Sequence, residues 1–465
     1  MGRRTAWWRV ALVGGVLGAV AGAPGTPGFA APVSPTTVTS PSTPASPSSS
    51  TSASPPPSAT TASSYAFAED APSVTGATAT ADAERLEPGT TYRSSLPSDG
   101  KVYYRLVLDG TSTVYVAATA VPPTDAAVTP TEGVRVSVQD ADGRSCSAAD
   151  TASIGAGRSP RPLTVWAARQ LPSSRSLCRG AGTYYVVVER VLRTESAPGD
   201  WGLELAPVSE PRLRKAASTT SAPEAWDSAT PSPPGGESVR LRGGGGFGSA
   251  TALKQGVWRD EVRPGQTLFY EMPVDWGQQV YATADLSSAS GGGAGGGFVP
   301  GGVNLALYNP VRGLVDDTSI SYNGSRKSGA LAAVPPVGYD NRYAVSDRVG
   351  GMRFAGSYYL VVHLAARVGE EFGDGPFGLT LRVRVKGTAT AGPGYAGQSE
   401  PSGIFQVGLL GQGSGTVGDA GASDGDGGGG AGMKLVAAGG IGAGTLVLVV
   451  LGVWVVVGRR RAAGV

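Results

Sequence analysis

Histidine is almost missing from this chain: 465 residues contain one, His363. A Ser-His-Asp or Cys-His catalytic site would have to use it. Zinc, which takes three or four nitrogen or sulfur ligands in its common sites, finds no His/Cys cluster to bind. Cysteine is nearly as scarce, with only Cys146 and Cys178, and neither has the spacing of a metal or redox motif. Charge is missing altogether from residues 10–68. The formal net charge of the chain is +2, which excludes a broad electrostatic pull toward nucleic acid or acidic lipid. Long amphipathic helical stretches are also lacking.

What is present begins with the two ends. Arg3, Arg4 and Arg9 precede the apolar stretch Val10 to Ala21. A Pro/Gly-rich region follows and closes on Gly28-Phe29-Ala30. This pattern predicts an exported leader over 1–30. At the other end an uncharged apolar run covers 435–457 and is followed by Arg459, Arg460 and Arg461. Such a run rises about 34 Å as a helix, enough to cross a bilayer core. The arginines mark its cytoplasmic side, so 458–465 is expected as a cytoplasmic tail. The expected localisation is a cell membrane, single pass, with nearly everything outside. Gly440 and Gly444 form a small-xxx-small pattern in the run, a surface that permits homodimerisation. In an exported chain two thiols are expected to pair. A Cys146–Cys178 bridge closes a loop of about 33 residues, worth about 3–4 kcal/mol in the chain-entropy model.

Glycine (72) and proline (35) make up nearly a quarter of the residues and punctuate the chain. Ser, Thr, Pro and Ala dominate 31–64, a low-complexity spacer too poor in apolar surface to order itself. A second linker is expected over 207–236 and a Gly-rich stalk over 388–434. Two segments of folded character remain, 65–206 and 237–387, and they repeat one another. "YRSSLPSDGKVYYRLVLDGTSTVYVAATA" from Tyr92 aligns without a gap on "WRDEVRPGQTLFYEMPVDWGQQVYATADL" from Trp258. Three further blocks follow in the same order. "GVRVSVQDADGRS" from Gly133 matches "GVNLALYNPVRGL" from Gly302. "GTYYVVVERV" from Gly182 matches "GSYYLVVHLA" from Gly356, and "WGLELAPV" from Trp201 matches "FGLTLRVRV" from Phe377. Two repeats of this size are tandem domains rather than a solenoid. "VRVSV" and "VNLAL" alternate with period two, as half-buried strands do. "TYYVVVE" and "SYYLVV" are apolar on both faces and read as central strands. Short strands with Gly/Pro turns predict an all-β fold: two tandem β-sandwich or jelly-roll domains plus one C-terminal transmembrane helix.

The order of strand, aspartate–glycine turn, "aGtYYv-V" and short terminal strand resembles the bacterial pre-peptidase C-terminal domain, a calcium-associated β-sandwich of secreted peptidases. Val134 to Gly143, Ala181 to Glu189 and Gly202 to Leu205 carry the likeness in the first copy. Val303 to Gly313, Ala355 to His363 and Gly378 to Leu381 carry it in the second. "VDWGQQ", "LYNPVRG" and "GMRFAGSYYL" are similar to segments of a group of actinobacterial membrane-anchored proteins, a source that the Ala-, Gly- and Arg-rich composition also suggests. The resemblance implies an extracellular module and supplies no reaction.

Candidate sites are few. His363 aligns with Glu189, and a polar residue at the same late strand position in both copies predicts a solvated strand end. Asp140 and Asp142, before Gly143, are the candidates for a calcium site. The EF-hand pattern fails, because its twelfth position is Thr151. In the second copy Asn309 and Arg312 replace the two aspartates, and a plain turn is the preferred reading. The glycine run from Ser290 to Gly302 lacks the helix and Lys-Ser/Thr end of a phosphate loop. Gly369 to Gly375 gathers three carboxylates and reads as an acidic loop. Trp201 and Trp258 have aromatic counterparts in Phe377 and Tyr92, which favours core packing. Trp276 faces Gly110 in the alignment and is the candidate interaction residue. The function expected is a non-enzymatic cell-surface protein whose repeats bind an extracellular or membrane protein partner, with no catalytic residue and no cofactor. The alternatives are a carbohydrate- or cell-wall-binding protein and an accessory subunit of an exported peptidase.

Overall fold

Eight strands build the first repeat: β1 (Tyr92–Leu96), β2 (Lys101–Leu108), β3 (Thr113–Val121), β4 (Gly133–Gln139), β5 (Asp150–Ser153), β6 (Leu163–Arg169), β7 (Gly182–Val191) and β8 (Trp201–Glu210). They make two four-stranded sheets, ordered β1-β8-β3-β6 and β2-β7-β4-β5, which is the strand order of a jelly roll. Alternation sets the inner face. In β2, Val102, Tyr104, Leu106 and Leu108 are buried while Lys101, Arg105 and Val107 face solvent. These side chains meet Val114, Val116, Val186, Val188, Leu203 and Leu205 in the first core.

The computed structural model describes residues 65–171, 177–191, 199–217, 220–289 and 297–407. The leader, the 31–64 spacer, most of the stalk, the membrane run with Gly440 and Gly444, and the tail fall outside the described residues. No helix among the described residues is long and apolar enough to cross a membrane.

The second repeat opens with two short strands, β9 (Val239–Arg240) and β10 (Thr251–Ala252). It continues with β11 (Gly256–Val262), β12 (Thr267–Val274), β13 (Gln279–Leu286), β14 (Val299–Tyr308), β15 (Leu314–Tyr322), β16 (Lys327–Ala330), β17 (Gly356–Leu364) and β18 (Phe377–Lys386). Two short helices, α1 (Asp347–Gly351) and α2 (Arg367–Phe372), cap loops. The sheets are β16-β13-β18-β11-β9 and β10-β12-β17-β14-β15. The duplication extends to strand register. Tyr92 pairs with Leu205 and Trp258 with Leu381. Val102 pairs with Val188 and Leu268 with Val362. Val134 pairs with Arg190 and Val303 with Leu364.

The repeat also reaches further upstream than the aligned blocks. Val74 N–H bonds to Arg93 C=O just as Leu241 N–H bonds to Arg259 C=O. Each lead-in then crosses to the other sheet, where Ala77 bridges Tyr103 and Gly244 bridges Phe269. Gly76 and Gly243 are the equivalent crossing points. A Cβ at Gly76 would stand 2.7 Å from Val102 Cβ, and one at Gly243 would stand 2.8 Å from the Tyr270 ring.

The two repeats belong to one compact unit and stack sheet on sheet. The outward face of β1-β8-β3-β6 lies against the outward face of β12-β17-β14-β15. Val121 of the first repeat packs with Phe269, Ala306, Tyr308 and Val361 of the second. Tyr115, Ala168 and Val208 pack with Val311, Phe354 and Phe405. All nine residues of β3 are therefore buried, one face by its own core and the other by the second repeat. The sheets that meet are not equivalent ones. The first repeat docks with its β1-type sheet and the second with its β2-type sheet, a head-to-tail contact rather than a two-fold one.

Two expected spacers need correcting. The 207–236 linker starts inside β8, and its later part is tied down: Asp227 pairs with Lys386 at 2.5 Å and Ser232 C=O accepts from Arg384. Part of the stalk expected from 388 is packed against the body instead. Glu400 pairs with Ser209, Tyr395 bridges Leu213, and Phe405, 2% exposed, stacks on Phe354 at 4.9 Å. Three apolar side chains, Tyr395, Ile404 and Phe405, fill the seam between repeats, which is why this Gly-rich segment packs.

Candidate functional site

His363 sits in the seam. Its Nδ1 is hydrogen-bonded with Thr267 Oγ1 at 3.0 Å and its Nε2 with Ser159 Oγ of the first repeat at 3.0 Å. Ser159 Oγ also accepts from Ala366 N–H. The expectation of a solvated strand end is overturned, since His363 is 4% exposed. Its counterpart Glu189 does face solvent, paired with Lys101 and Arg135. The same strand face is free in the first repeat and docked in the second. Burial, followed by the nearby Arg161 cation, pushes the imidazole down to about 3. The Ser-His contact thus holds a neutral ring in an enclosed, charge-disfavouring place, with no carboxylate on Nδ1 to orient it as in a triad.

Two buried carboxylates of β8 form the rest of the seam's polar frame. Glu204 accepts from Tyr65 Oη at 2.6 Å, Ala68 N–H at 3.0 Å and Arg312 Nη1 at 2.6 Å. Glu210 accepts from both Nη atoms of Arg342, at 3.1 and 2.7 Å, and from Tyr115 and Tyr395, each at 2.8 Å. Both guanidiniums come from the second repeat. Burial works against the Arg312 cation, but Tyr65 and Glu204 outweigh it and raise its pKa. Buried pairs of this kind are held by added hydrogen bonds, three donors on Glu204 and four on Glu210.

Cys146 and Cys178 are joined, with Cα atoms 5.5 Å apart. The bridge ties the hairpin after β4 to the loop before β7. Asp140 and Asp142 converge on one guanidinium: Arg144 Nε meets Asp140 at 2.9 Å and its Nη2 meets Asp142 at 2.6 Å. Asp140 also takes the backbone N–H groups of Asp142 and Arg144, the turn that the sequence suggests. Among the described residues no three His, Cys, Asp or Glu side chains cluster as metal ligands would. Trp276 is not placed as an interaction residue should be. It is 7% exposed, belongs to the second core, and is covered by residues 388–393, where Thr390 N–H bonds to its carbonyl and a Cβ on Gly392 would meet its ring at 2.4 Å. The tail that the sequence suggested would be stalk hides it. Trp201 (1% exposed) and Phe377 (3% exposed) are core residues, as their pairing suggested.

A cleft lies elsewhere, at the far edge of the second repeat. It measures about 530 Å³ and is lined by Arg240, Arg242, Arg259 and Arg263 together with Asp260, Glu261 and Leu241. Asp260 is occupied internally, accepting from Gly243 N–H and Tyr270 Oη at 2.7 Å each. None of the four arginines has an ion-pair partner among the described residues. Sequence reasoning missed this group because its members are split between the lead-in and β11. The upstream limit of the repeat, once seen, would have exposed it.

Compared with models of known protein families, the chain matches none, and no curated protein matches it. Solved structures resemble it in part. The CUB1-EGF-CUB2 domain of human MASP-1/3 is 8% identical, covering 63% of this chain and 99% of that one, with a TM-score of 0.15. The CBM22-1-CBM22-2 tandem domain of Paenibacillus barcinonensis Xyn10C is 10% identical, covering 64% and 92%, with a TM-score of 0.16. The ANX1 ectodomain of Arabidopsis thaliana is 9% identical, covering 66% and 92%, with a TM-score of 0.16. Scores this low carry no functional argument.

Proposed function

We propose that the chain is a non-enzymatic, membrane-anchored cell-surface protein whose two β-sandwich repeats bind a protein partner. The observation that carries this reading is the placement of charge. Three buried ionisable groups, Glu204, Glu210 and His363, are consumed in holding the repeats together. Four cations without an ion-pair partner among the described residues, Arg240, Arg242, Arg259 and Arg263, gather outside in one cleft of the second repeat. A body stiffened in this way presents a surface at little entropic cost on binding. The reading takes the apolar run 435–457 as the anchor, calls for no cofactor, and keeps the pre-peptidase-like kinship and the actinobacterial source as part of the proposal, resting on the quoted motifs. The carbohydrate-binding alternative would call on exposed aromatic rings, and Trp276, the candidate interaction residue, is buried.

Crosslinking the full-length protein in its own membranes, followed by affinity capture and mass spectrometry, tests the reading. One reproducible protein partner supports it. Capture of wall glycan fragments alone refutes it in favour of the carbohydrate-binding alternative.

A further inference from the structure

We infer that the arginine cleft of the second repeat docks an extended acidic segment of the partner, laid along β9. This rests on the reading that the partner is a protein. The first support is a comparison internal to the chain. Both repeats share the lead-in, its crossing glycine and its register, since Ser73 bridges Arg93 where Arg240 pairs with Arg259. On that correspondence Arg240, Arg242 and Arg263 stand where the first repeat has Ser73, Thr75 and Pro97. Only Arg259 has an arginine counterpart, Arg93, and that one lies over the Phe67 ring at 4.6 Å. The scaffold therefore forms without the extra guanidiniums. Their presence in one copy answers to something other than folding.

The second support is the open edge. β9 ends the sheet β16-β13-β18-β11-β9. Leu241 N–H is turned inward to Arg259 C=O at 2.9 Å. By strand alternation Arg240 turns its own N–H and C=O outward. An added strand pairs with such an edge through its main chain and takes specificity from alternate side chains. Arg240 and Arg242 are two residues apart, about 7 Å along a strand, the spacing of alternate side chains on an extended peptide. Guanidiniums recognise carboxylates with paired, directional hydrogen bonds. Val239, 56% exposed on the same edge, offers the incoming backbone an apolar contact. Against the four cations stand Asp260, already engaged, and Glu261, so the cleft stays net positive.

The test uses the full-length protein in detergent and a fluorescent dodecapeptide of alternating Glu and Thr. We expect saturable binding that weakens about tenfold or more when Gln replaces Glu in the peptide. The same loss is expected in the R240S/R242T double variant, which installs the residues that the first repeat carries. A peptide N-methylated at alternate residues should also lose about tenfold. An unchanged melting temperature of the double variant shows that the fold is intact. Equal binding by wild type and R240S/R242T, or by the Gln peptide, overturns the inference. So does binding of poly(glycerol phosphate) in place of the peptide, which would make the occupant a polyanionic glycan. A cellular partner captured equally by wild type and R240S/R242T overturns the cleft but leaves the protein-partner reading standing. Glycan alone captured by both removes that reading.

Discussion

Acidification should loosen this protein through one residue. His363 is the lone histidine, is 4% exposed, and has its pKa lowered from 6.5 to about 3 by burial and by Arg161. The groups around it are Ser159 and Arg161 from the loop before β6, Thr267 of β12, and the backbone of Gln266 and Ala366. None of these is a carboxylate that would welcome a proton. The folded state keeps the ring neutral, while the unfolded chain protonates it below pH 6.5. The stabilisation is complete above 6.5 and is lost as pH falls toward 3, at about 1.4 kcal/mol per pH unit. Between pH 7 and pH 5 the loss from this residue alone is about 2 kcal/mol. Carboxylates also titrate in this range, so a difference measurement is needed. Denaturant unfolding of wild type and His363→Gln at pH 7, 6 and 5 supplies it. Glutamine keeps a hydrogen-bonding side chain and removes the titration. Whatever the variant costs at pH 7, its deficit relative to wild type should shrink by about 2 kcal/mol by pH 5. Parallel stability curves for the two proteins would refute the burial of a neutral imidazole in the seam.

Other consequences follow from the seam and the bridge. Glu210→Ala strands the Arg342 cation and two tyrosine hydroxyls, and should cost about 3–5 kcal/mol in denaturant unfolding. Phe405→Ala removes a ring stacked on Phe354 and tilted against Tyr395. It should cost about 3 kcal/mol and open residues 388–407 to limited proteolysis. Denatured, unreduced protein should show no titratable thiol, and reduction of the Cys146–Cys178 bond should lower stability by about 3–4 kcal/mol. Gly243→Ala places a methyl against Leu268 and Tyr270 and should destabilise by about 1–3 kcal/mol, while Gly248→Ala, whose Cβ would stand no closer than 3.3 Å to Ala68, should be tolerated.

Much of the architecture is legible because strand alternation and repetition are local signals. "VRVSV" alternates, and in β4 Val134, Val136 and Val138 indeed face the core while Arg135 is exposed. The blocks from Gly182 and Gly356 are apolar on both faces, and β7 and β17 are indeed central in their sheets. The lead-ins at 72–86 and 239–253 escaped because they touch the sheets by single bridges and short pairs. Such contacts impose little pattern on the residues that make them. For the same reason the arginine cleft did not show as a motif: Arg240 and Arg259 become neighbours only through a parallel pairing.

By itself the sequence determined the all-β class, the duplication, the pairing of two cysteines and the core positions of Trp201 and Phe377. Each follows from residue type, periodicity or count, which act within a strand or between copies. Tertiary structure alone decided what lies on the outer face of each sheet. Glu189 and His363 hold the same position in the same strand, yet one meets water and the other meets Ser159 of the first repeat. The difference is set by which sheets dock. A strand's pattern states that a face is apolar or polar, but not what comes to cover it.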